Sequence, residues 1–212
     1  SIMKPEWLET AIKSTDKFID EAYKREKPNL KERKKFLGNK DYLKVKDHGL
    51  SYHSTPLNGD PGLKEMEQYV GQTSYNLLEE WGYDMSLYTI FFTEFWVQEF
   101  AKNGGGHHRV HIHENCHLSG FYFLENEESS FPLFHDPRPG AAMTSLPQKN
   151  ESMITPATRV INYQPKPGDM YIFPSYLPHE YVVSRGGNFR FIHFNVQAVK
   201  NYMLNSREGG IG

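Results

Sequence analysis

The spacing of apolar residues predicts two amphipathic helices in the first part of the chain. From Pro5 onward, apolar side chains recur at steps of three and four, with proline in the first turn, and the pattern ends before Pro28. The same spacing returns between Leu63 and Trp81, and Gly82 stands where a helix commonly stops. The sequence therefore predicts a helical N-terminal region.

The remainder of the chain shows the pattern of short strands. The segment 87–100 (LYTIFFTEFWVQEF) is dense in aromatic and β-branched residues, which predicts a buried strand or a strand pair. Many short strands with no helical pattern between them are typical of a sandwich or barrel. The shorter runs, separated by Gly, Pro, Asn and Asp, are 119–124, 132–134, 159–163, 170–173, 180–183 and 189–196.

These patterns predict an α+β fold in which N-terminal helices pack on a β-sandwich. Within the helical part, the polar stretch 31–47 is predicted to be a solvated face, and the turn-rich segment 51–62 a loop. We expect a single domain with a helical buttress (1–84), a β core (85–200) and a C-terminal tail (201–212).

Composition narrows the functional classes. The 212 residues carry a net charge of −2, so no basic excess indicates nucleic-acid binding. One cysteine, Cys116, excludes an internal disulfide framework and a cysteine-only metal cluster. No apolar run is long enough to span a membrane and the start does not resemble a signal peptide, so we expect a cytoplasmic protein without a membrane partner.

Histidines are concentrated in one segment, where five of the ten lie between residues 107 and 117. On a strand, residues two apart project to the same face, so His111 and His113 can converge on one point. Imidazole ligands suit Zn, Cu, Fe and Ni. The pair therefore indicates a metal site, and its third ligand must come from elsewhere in the chain.

A second segment, 165–195 (PKPGDMYIFPSYLPHEYVVSRGGNFRFIHFN), provides a distant histidine and an arginine. A turn enters a strand, a loop delivers His179, and a Gly-Gly turn returns the chain through Arg190. A buried arginine is costly unless it is paired with an anion. That anion is either a carboxylate brought by a ligand or an internal Asp or Glu.

Taken in order, these motifs resemble the 2-oxoglutarate/Fe(II)-dependent oxygenases, which share the double-stranded β-helix (jelly-roll) fold of prolyl hydroxylases. The resemblance covers about residues 87–197. It rests on H-x-H before SGFYFL, then F-x-D-P-R, P-x-x-G-D and F-P-S, followed by a histidine and an arginine eleven residues later. It implies a jelly-roll core with the N-terminal helices packed on one sheet.

The resemblance also implies residue roles. His111 matches the first metal ligand of the family, His179 the distal histidine, and Arg190 the basic residue that clamps the 5-carboxylate of 2-oxoglutarate. The implied cofactors are Fe(II), 2-oxoglutarate and O₂. The implied reaction is hydroxylation of an unidentified protein residue or small molecule, with decarboxylation of 2-oxoglutarate to succinate. The expected hydrogen-bonding residues around the cosubstrate are Ser119, Tyr122 and Asn195.

The sequence departs from the family pattern at the acid position, where His113 stands in place of a carboxylate. His113 can itself bind, Asp136 can supply a carboxylate from another strand, or the acid can be absent. A shifted register would instead make His113 the first ligand and place Asn115 in the next slot. We expect His111, His113 and His179 to hold the metal, with Asp136 as the alternative carboxylate ligand.

Other residues near these motifs receive plainer predictions. His107 and His108 follow three glycines and are predicted to be loop residues at the mouth of the site. His193 is predicted to be a core or supporting residue, on the strand face opposite Arg190. The stretch 137–156 is longer than a simple connection and is predicted to be either a lid or a disordered loop.

Three other functions compete with the oxygenase. Two histidines also begin many zinc hydrolase sites, in which the metal activates water. A cupin-like metal-dependent dioxygenase or isomerase would need no 2-oxoglutarate. A non-enzymatic β-sandwich would leave the converging histidines without a purpose.

Overall fold

The structure is a computed structural model, and its elements follow most of the predicted pattern. It describes residues 5–37, 51–100, 106–127, 129–138, 140, 143, 146–184 and 187–203. The statements below concern those residues, and the segments 38–50 and 204–212, including most of the predicted tail, lie outside them.

Two long helices form the N-terminal part. Helix α1 (Pro5–Leu37) passes through Pro28, so the predicted end before that proline is wrong. A proline inside a helix removes one backbone hydrogen bond and crowds the preceding turn, but the flanking residues are good helix formers and continue it. Helix α2 (Lys64–Glu80) confirms the prediction, and Gly82 follows it with a φ of 90°.

Nine strands lie in the described residues. The segment 51–62 was predicted as a loop, but it contains strand β1, and a short 3₁₀ helix begins at its end (Pro61–Leu63). Pairing with the far end of β2 gives the β1 backbone its hydrogen-bond partners. The strands are β1 (Ser51–His53), β2 (Tyr88–Phe100), β3 (Gly106–His111), β4 (Leu118–Asn126), β5 (Phe131–His135), β6 (Val160–Asn162), β7 (Met170–Pro174), β8 (His179–Val183) and β9 (Phe189–Lys200).

The strands form two antiparallel sheets. The five-stranded sheet has the order β1-β2-β9-β4-β7, and the four-stranded sheet has the order β3-β8-β5-β6. From β2 to β5 and again from β6 to β9, successive strands alternate between the sheets, which is the winding of a jelly roll. The expected α+β fold with a double-stranded β-helix core is confirmed.

The larger sheet has two buried faces with different partners. Its outer face packs on α1 and α2 through aliphatic and aromatic side chains that include Phe95, Leu118 and Ile192. Its inner face points toward the smaller sheet and is mostly aromatic, with Phe121 and Phe191 at its centre. Because strand side chains alternate, each of the two face sets takes every second residue of β4 and β9. None of the described helices is long and apolar enough to cross a membrane.

Candidate metal centre

Three histidines lie close together at the end of strand β3 and the start of strand β8. His111 is the last residue of β3 and pairs in register with His179, the first residue of β8. His113 lies two residues beyond β3, so its predicted place on the strand is wrong. Its backbone N–H donates to the carbonyl of Ser175 (3.0 Å), which holds the segment against the start of the β7–β8 connection. The predicted histidines therefore converge. The pairing of β3 with β8 and the loop after β3 bring them together, and not a single strand.

The spacing of the ring nitrogens fits one metal ion. His111, His113 and His179 each offer a nitrogen, and these nitrogens lie within 4.8 Å of one another. The Nε2 atoms of His113 and His179 are 3.3 Å apart. Two nitrogens about 2.0–2.1 Å from one ion, at angles between octahedral and tetrahedral, are separated by roughly 2.9–3.4 Å. These residues thus have the chemistry and the spacing to hold Fe(II).

Two of the three rings are oriented for binding through Nε2. The Nδ1 atom of His111 lies 2.8 Å from the carbonyl oxygen of Arg109, and that of His179 lies 3.0 Å from the carbonyl oxygen of Leu177. A carbonyl can only accept, so both Nδ1 atoms carry the proton and both Nε2 atoms are unprotonated. Histidine ligands of metals are commonly fixed in this way.

Burial keeps the cluster neutral. Desolvation, together with the charges of neighbouring histidines, lowers the pKa of His113 and His179 to about 3. The His179 ring is fully buried between aromatic side chains, with centroid distances of 4.9 Å to Phe173 and 5.7 Å to Phe121. Neutral imidazole is the form that binds metals. At neutral pH a metal ion therefore does not have to compete with protons that would make these rings cationic.

A polar network lies on the other edge of the His113 ring. Its Nδ1 is 3.0 Å from Nδ2 of Asn195, whose Oδ1 accepts from Ser119 Oγ (2.6 Å). The same Asn195 Nδ2 donates to Oε2 of Glu94 (2.8 Å). The structure thus places the predicted residues Ser119 and Asn195 beside the histidines. Sequence reasoning missed Glu94, because only the pairing of β2 with β9 brings it there, just after a bulge between Phe92 and Glu94.

His193 lies deeper on the same inner face. Its ring is 4.4 Å from Trp96 and 4.8 Å from His113 by centroids, and it is 1% exposed. Its Nε2 is 3.4 Å from Glu94 Oε2, but neither ring nitrogen has a hydrogen-bond partner of good geometry. Glu94, His113 and His193 form a second grouping of potential metal ligands. The predicted position of His193, buried behind the site, agrees with this placement.

Arg190 does not reach the histidines. It points from the outer face of β9 toward α1, and its Nε donates to Glu99 of β2 (2.5 Å) and its Nη1 to Asp16 of α1 (2.6 Å). Burial opposes its charge, but Glu99 and Asp16 raise the pKa of Arg190 above its usual value. The clamp role carried over from the family therefore has no support in this arrangement, because side-chain alternation puts Arg190 on the face opposite His193.

Tyr122 is displaced from the site for the same reason. It belongs to the buried set on the outer, helix-facing side of β4, whereas Ser119 points inward. Its hydroxyl is buried without a hydrogen-bond partner, and burial raises the pKa of Tyr122 to about 12. Of the three residues expected to surround the cosubstrate, the structure brings two to the histidines.

The alternatives for the missing carboxylate have different positions. Asp136 follows β5 and binds the Arg138 side chain (2.7 Å), which lowers the pKa of Asp136 to about 2. It belongs to neither grouping of described ligand atoms. Asn115 lies in a bend with a φ of 58°.

The neighbouring histidines correct one prediction. His107 and His108 lie on strand β3 and not in a loop. The His108 ring stands beside the cluster, with its Nδ1 3.2 Å from that of His111. His117 Nδ1 accepts from the Ala198 backbone N–H (3.1 Å), outside the cluster. Parts of 137–156 lie outside the described residues, so its role as a lid or disordered loop stays a prediction.

Comparison with known proteins finds a match to one family model. Residues 94–195, just under half of the chain, match the family model described as "Putative 2OG-Fe(II) oxygenase". The match contains all three histidines and confirms the resemblance seen in the sequence motifs. Its name states the cofactors of the family, Fe(II) and 2-oxoglutarate. No curated protein matches the chain in sequence.

One of three similar solved structures supports the fold, because its TM-score is above 0.5. AviO1 from Streptomyces viridochromogenes has a TM-score of 0.53 and 12% identity, covering 92% of this chain and 86% of its own. An oxidoreductase of the 2OG-Fe(II) oxygenase family from Burkholderia pseudomallei (TM-score 0.47, 11% identity) is matched over 69% of this chain and 66% of its own. A Trichoplax adhaerens prolyl hydroxylase in complex with a peptide of a hypoxia-inducible factor (TM-score 0.46, 13% identity) is matched over 71% of this chain and 64% of its own. The chain thus spans slightly less than two thirds of the length of the latter two.

Proposed function

We propose that this chain, whose residues 94–195 match the 2OG-Fe(II) oxygenases, is an Fe(II)- and 2-oxoglutarate-dependent oxygenase that hydroxylates its substrate. The observation that carries the proposal is the convergence of His111, His113 and His179 inside the matching segment. The substrate is either a protein residue or a small molecule, as in the range of reactions known for this fold.

In this mechanism the protein holds the metal ion and excludes water from it. His111 and His179 would hold the metal through Nε2, with His113 as the third nitrogen, which leaves positions open for other ligands. The bound Fe(II), 2-oxoglutarate and O₂ supply the oxidising chemistry, in which 2-oxoglutarate is decarboxylated to succinate and the substrate gains one oxygen atom. The rings of Phe121 and Phe173 exclude water from one side of the cluster.

The cosubstrate would be recognised from the inner face of the larger sheet. Gln98 is 1% exposed, and neither its Nε2 nor the ring nitrogens of His193 have a hydrogen-bond partner among the described residues. Gln98 follows Trp96 by two residues on β2, so both side chains point inward. These buried polar groups could donate to a carboxylate of 2-oxoglutarate. Arg190 faces the helices and is assigned no part in that recognition.

A neighbouring cavity is the proposed place for an apolar part of the substrate. It measures about 400 Å³ and lies between β5, β6 and β7. Two of its lining rings, Phe134 and Phe173, also lie against His179, at 6.1 and 4.9 Å by centroids. A substrate with an apolar or aromatic group would therefore bind close to the metal. The lining residues are Phe134, Ile161, Tyr163, Met170, Tyr171, Ile172, Phe173 and Leu177.

The test is formation of succinate from 2-oxoglutarate by the Fe(II)-loaded protein in the presence of O₂. Slow turnover without substrate is expected in the wild type, and His179→Ala should abolish it. His135→Ala is the matched control, because His135 pairs with Glu180 away from the cluster. Turnover that survives His179→Ala would remove the proposed site.

One observation favours a second candidate function. Because Arg190 is held by Glu99 and Asp16, a metal-dependent dioxygenase that uses no 2-oxoglutarate also agrees with the geometry. O₂ consumption by the Fe(II) protein with a substrate panel, in the absence of 2-oxoglutarate, would identify that activity. Dependence of O₂ consumption on 2-oxoglutarate would favour the first proposal.

A further inference from the structure

The hydrogen bonds of His113 differ from those of the other two histidines. His111 and His179 each direct Nδ1 at a backbone carbonyl, an acceptor that fixes the proton there. His113 directs Nδ1 at an amide nitrogen, Nδ2 of Asn195, at 3.0 Å. An amide nitrogen can only donate, so the same rule gives the opposite result for His113.

Glu94 determines which way the Asn195 amide faces. Its Oε2 lies 2.8 Å from Asn195 Nδ2 and 3.3 Å from Trp96 Nε1, and an ionised carboxylate has no proton to offer. The amide must therefore present its nitrogen to Glu94. On the other side, Ser119 Oγ lies 2.6 Å from Oδ1 and donates to it in this orientation. The Glu94 contact thus selects the orientation, the Ser119 contact agrees with it, and Asn195 is 2% exposed.

This orientation sets the tautomer of His113. Asn195 donates one N–H to Glu94 and the other to His113 Nδ1, which must then be an unprotonated acceptor. Neutral His113 consequently carries its proton on Nε2 and donates it toward His179 Nε2, 3.3 Å away. A metal needs the lone pair at that same Nε2.

We propose that Glu94, acting through Asn195, is a positioning residue that controls whether His113 can serve as a metal ligand. The proposal rests on the three-histidine site of the proposed function. For His113 Nε2 to bind a metal, its proton must move to Nδ1. The Asn195 amide must then turn, so that Oδ1 accepts the hydrogen bond from Nδ1–H. The turned amide places Oδ1 beside Glu94 Oε2, two acceptors in contact, and Glu94 therefore opposes this change.

The same network argues against a metal ion bound by Glu94, His113 and His193. The two hydrogens of Asn195 Nδ2 point at Glu94 Oε2 and at His113 Nδ1, between two of the three potential ligand atoms. A cation there would face N–H groups. Glu94 is thus connected to the metal centre through the amide and is not itself a ligand.

The tautomer can be measured without any metal. Two-bond ¹H–¹⁵N NMR spectra of the ¹⁵N-labelled protein distinguish a proton on Nε2 from one on Nδ1. We expect the Nε2–H form of His113 in the wild type and a shift toward Nδ1–H in Glu94→Gln, whose amide can donate to a turned Asn195. Glu114→Gln, which removes the exposed carboxylate next to His113 in sequence, should leave the tautomer unchanged. A wild-type His113 protonated on Nδ1 would overturn the proposal.

Metal affinity provides the second readout, with Co²⁺ as the probe. Relative to Glu114→Gln, which measures the loss of one negative charge, Glu94→Gln should bind Co²⁺ about ten-fold tighter, the scale of effects transmitted through neighbours of ligands. Equal or weaker binding would overturn the proposal, and weaker binding with a changed visible spectrum would make Glu94 a ligand. Failure of the proposed function appears separately, as Co²⁺ binding that His179→Ala does not affect.

Discussion

The two faces of strand β9 carry polar groups with opposite purposes. On the inner face, His193 and Asn195 stand beside His113, one of the three clustered histidines. On the outer face, Arg190 is held by Glu99 and Asp16 and joins α1 to the sheet. The inner groups are arranged around a point where a ligand would bind, whereas the outer groups satisfy one another.

This difference shows how a polar residue in a strand should be interpreted. A buried charge paired within the protein stabilises a packing arrangement and is costly to break. His193 is a buried polar group without a hydrogen-bond partner among the described residues, and its place beside the clustered histidines makes it available to a bound ligand. Arg190 and its neighbours His193 and Asn195 lie on the same strand, and the face to which each side chain points determines which of these two roles it has.

The largest effect is expected from the inner face. Replacing His179 with alanine removes the most buried ligand, so Co²⁺ affinity measured by calorimetry should fall by about 100-fold or more, beyond what changes around ligands cause. His135→Ala should bind Co²⁺ as the wild type does. Unchanged affinity in His179→Ala would place the metal elsewhere.

Substitutions on the outer face should change the stability of the protein and not its metal affinity. Arg190→Ala leaves Glu99 buried without its partner, and the free energy of unfolding in urea should fall by about 3–5 kcal/mol. Asp16→Ala removes a carboxylate that is 59% exposed and should cost about 0–1 kcal/mol. Co²⁺ affinity should stay at the wild-type level in both variants. An Arg190→Ala protein of normal stability that no longer binds 2-oxoglutarate would restore the clamp role.

The buried histidines of the inner face should also make the stability of the protein depend on pH. His113 and His179 have pKa values of about 3 in the folded protein, below the unfolded value of about 6.5, so the unfolded state binds more protons between these limits. Their contribution is fully present above about pH 6.5 and is lost as the pH falls toward 3. Urea unfolding of the metal-depleted protein should weaken with acidification, by up to about 1.4 kcal/mol per pH unit for each histidine. His179→Gln should show a shallower slope, and an unchanged slope would contradict the assignment.

The smallest effect is expected at Asp136. Its carboxylate is held by Arg138 and lies outside the ligand groupings, so Asp136→Ala should leave Co²⁺ affinity within about two-fold of the wild type. Arg138→Ala is the matched control for loss of the ion pair. A ten-fold or greater loss confined to Asp136→Ala would show that the carboxylate ligand comes from β5.

Much of the fold could be predicted because its signals are periodic and local. The spacing from Leu63 to Trp81 and the glycine after it gave α2, and dense aromatic runs gave most strands. The course of α1 through Pro28 could not be foreseen, since a single proline can end or merely weaken a long helix. Strand β1 was missed because three residues carry too little pattern and depend on pairing with β2.

The site was predictable only where the motif itself supplies ligands. H-x-H and the distant His179 could be found from sequence, but their meeting depends on the pairing of β3 with β8 and on a loop. Glu94 lies in an aromatic strand far from that motif, and only the β2–β9 register brings it to Asn195. The sequence left the anion of Arg190 open between a ligand and an internal carboxylate, because sequence order does not show that Glu99 and Asp16 meet its face of β9.

The most direct test of the account is anaerobic titration of the Fe(II) protein with 2-oxoglutarate, followed by visible spectroscopy. If the inner face binds both, a metal-to-ligand charge-transfer band should grow in the wild type and in a folded Arg190→Ala protein. The band should be absent from His179→Ala. A band that persists in His179→Ala, or that disappears in Arg190→Ala while the fold and Co²⁺ binding remain intact, would contradict the account.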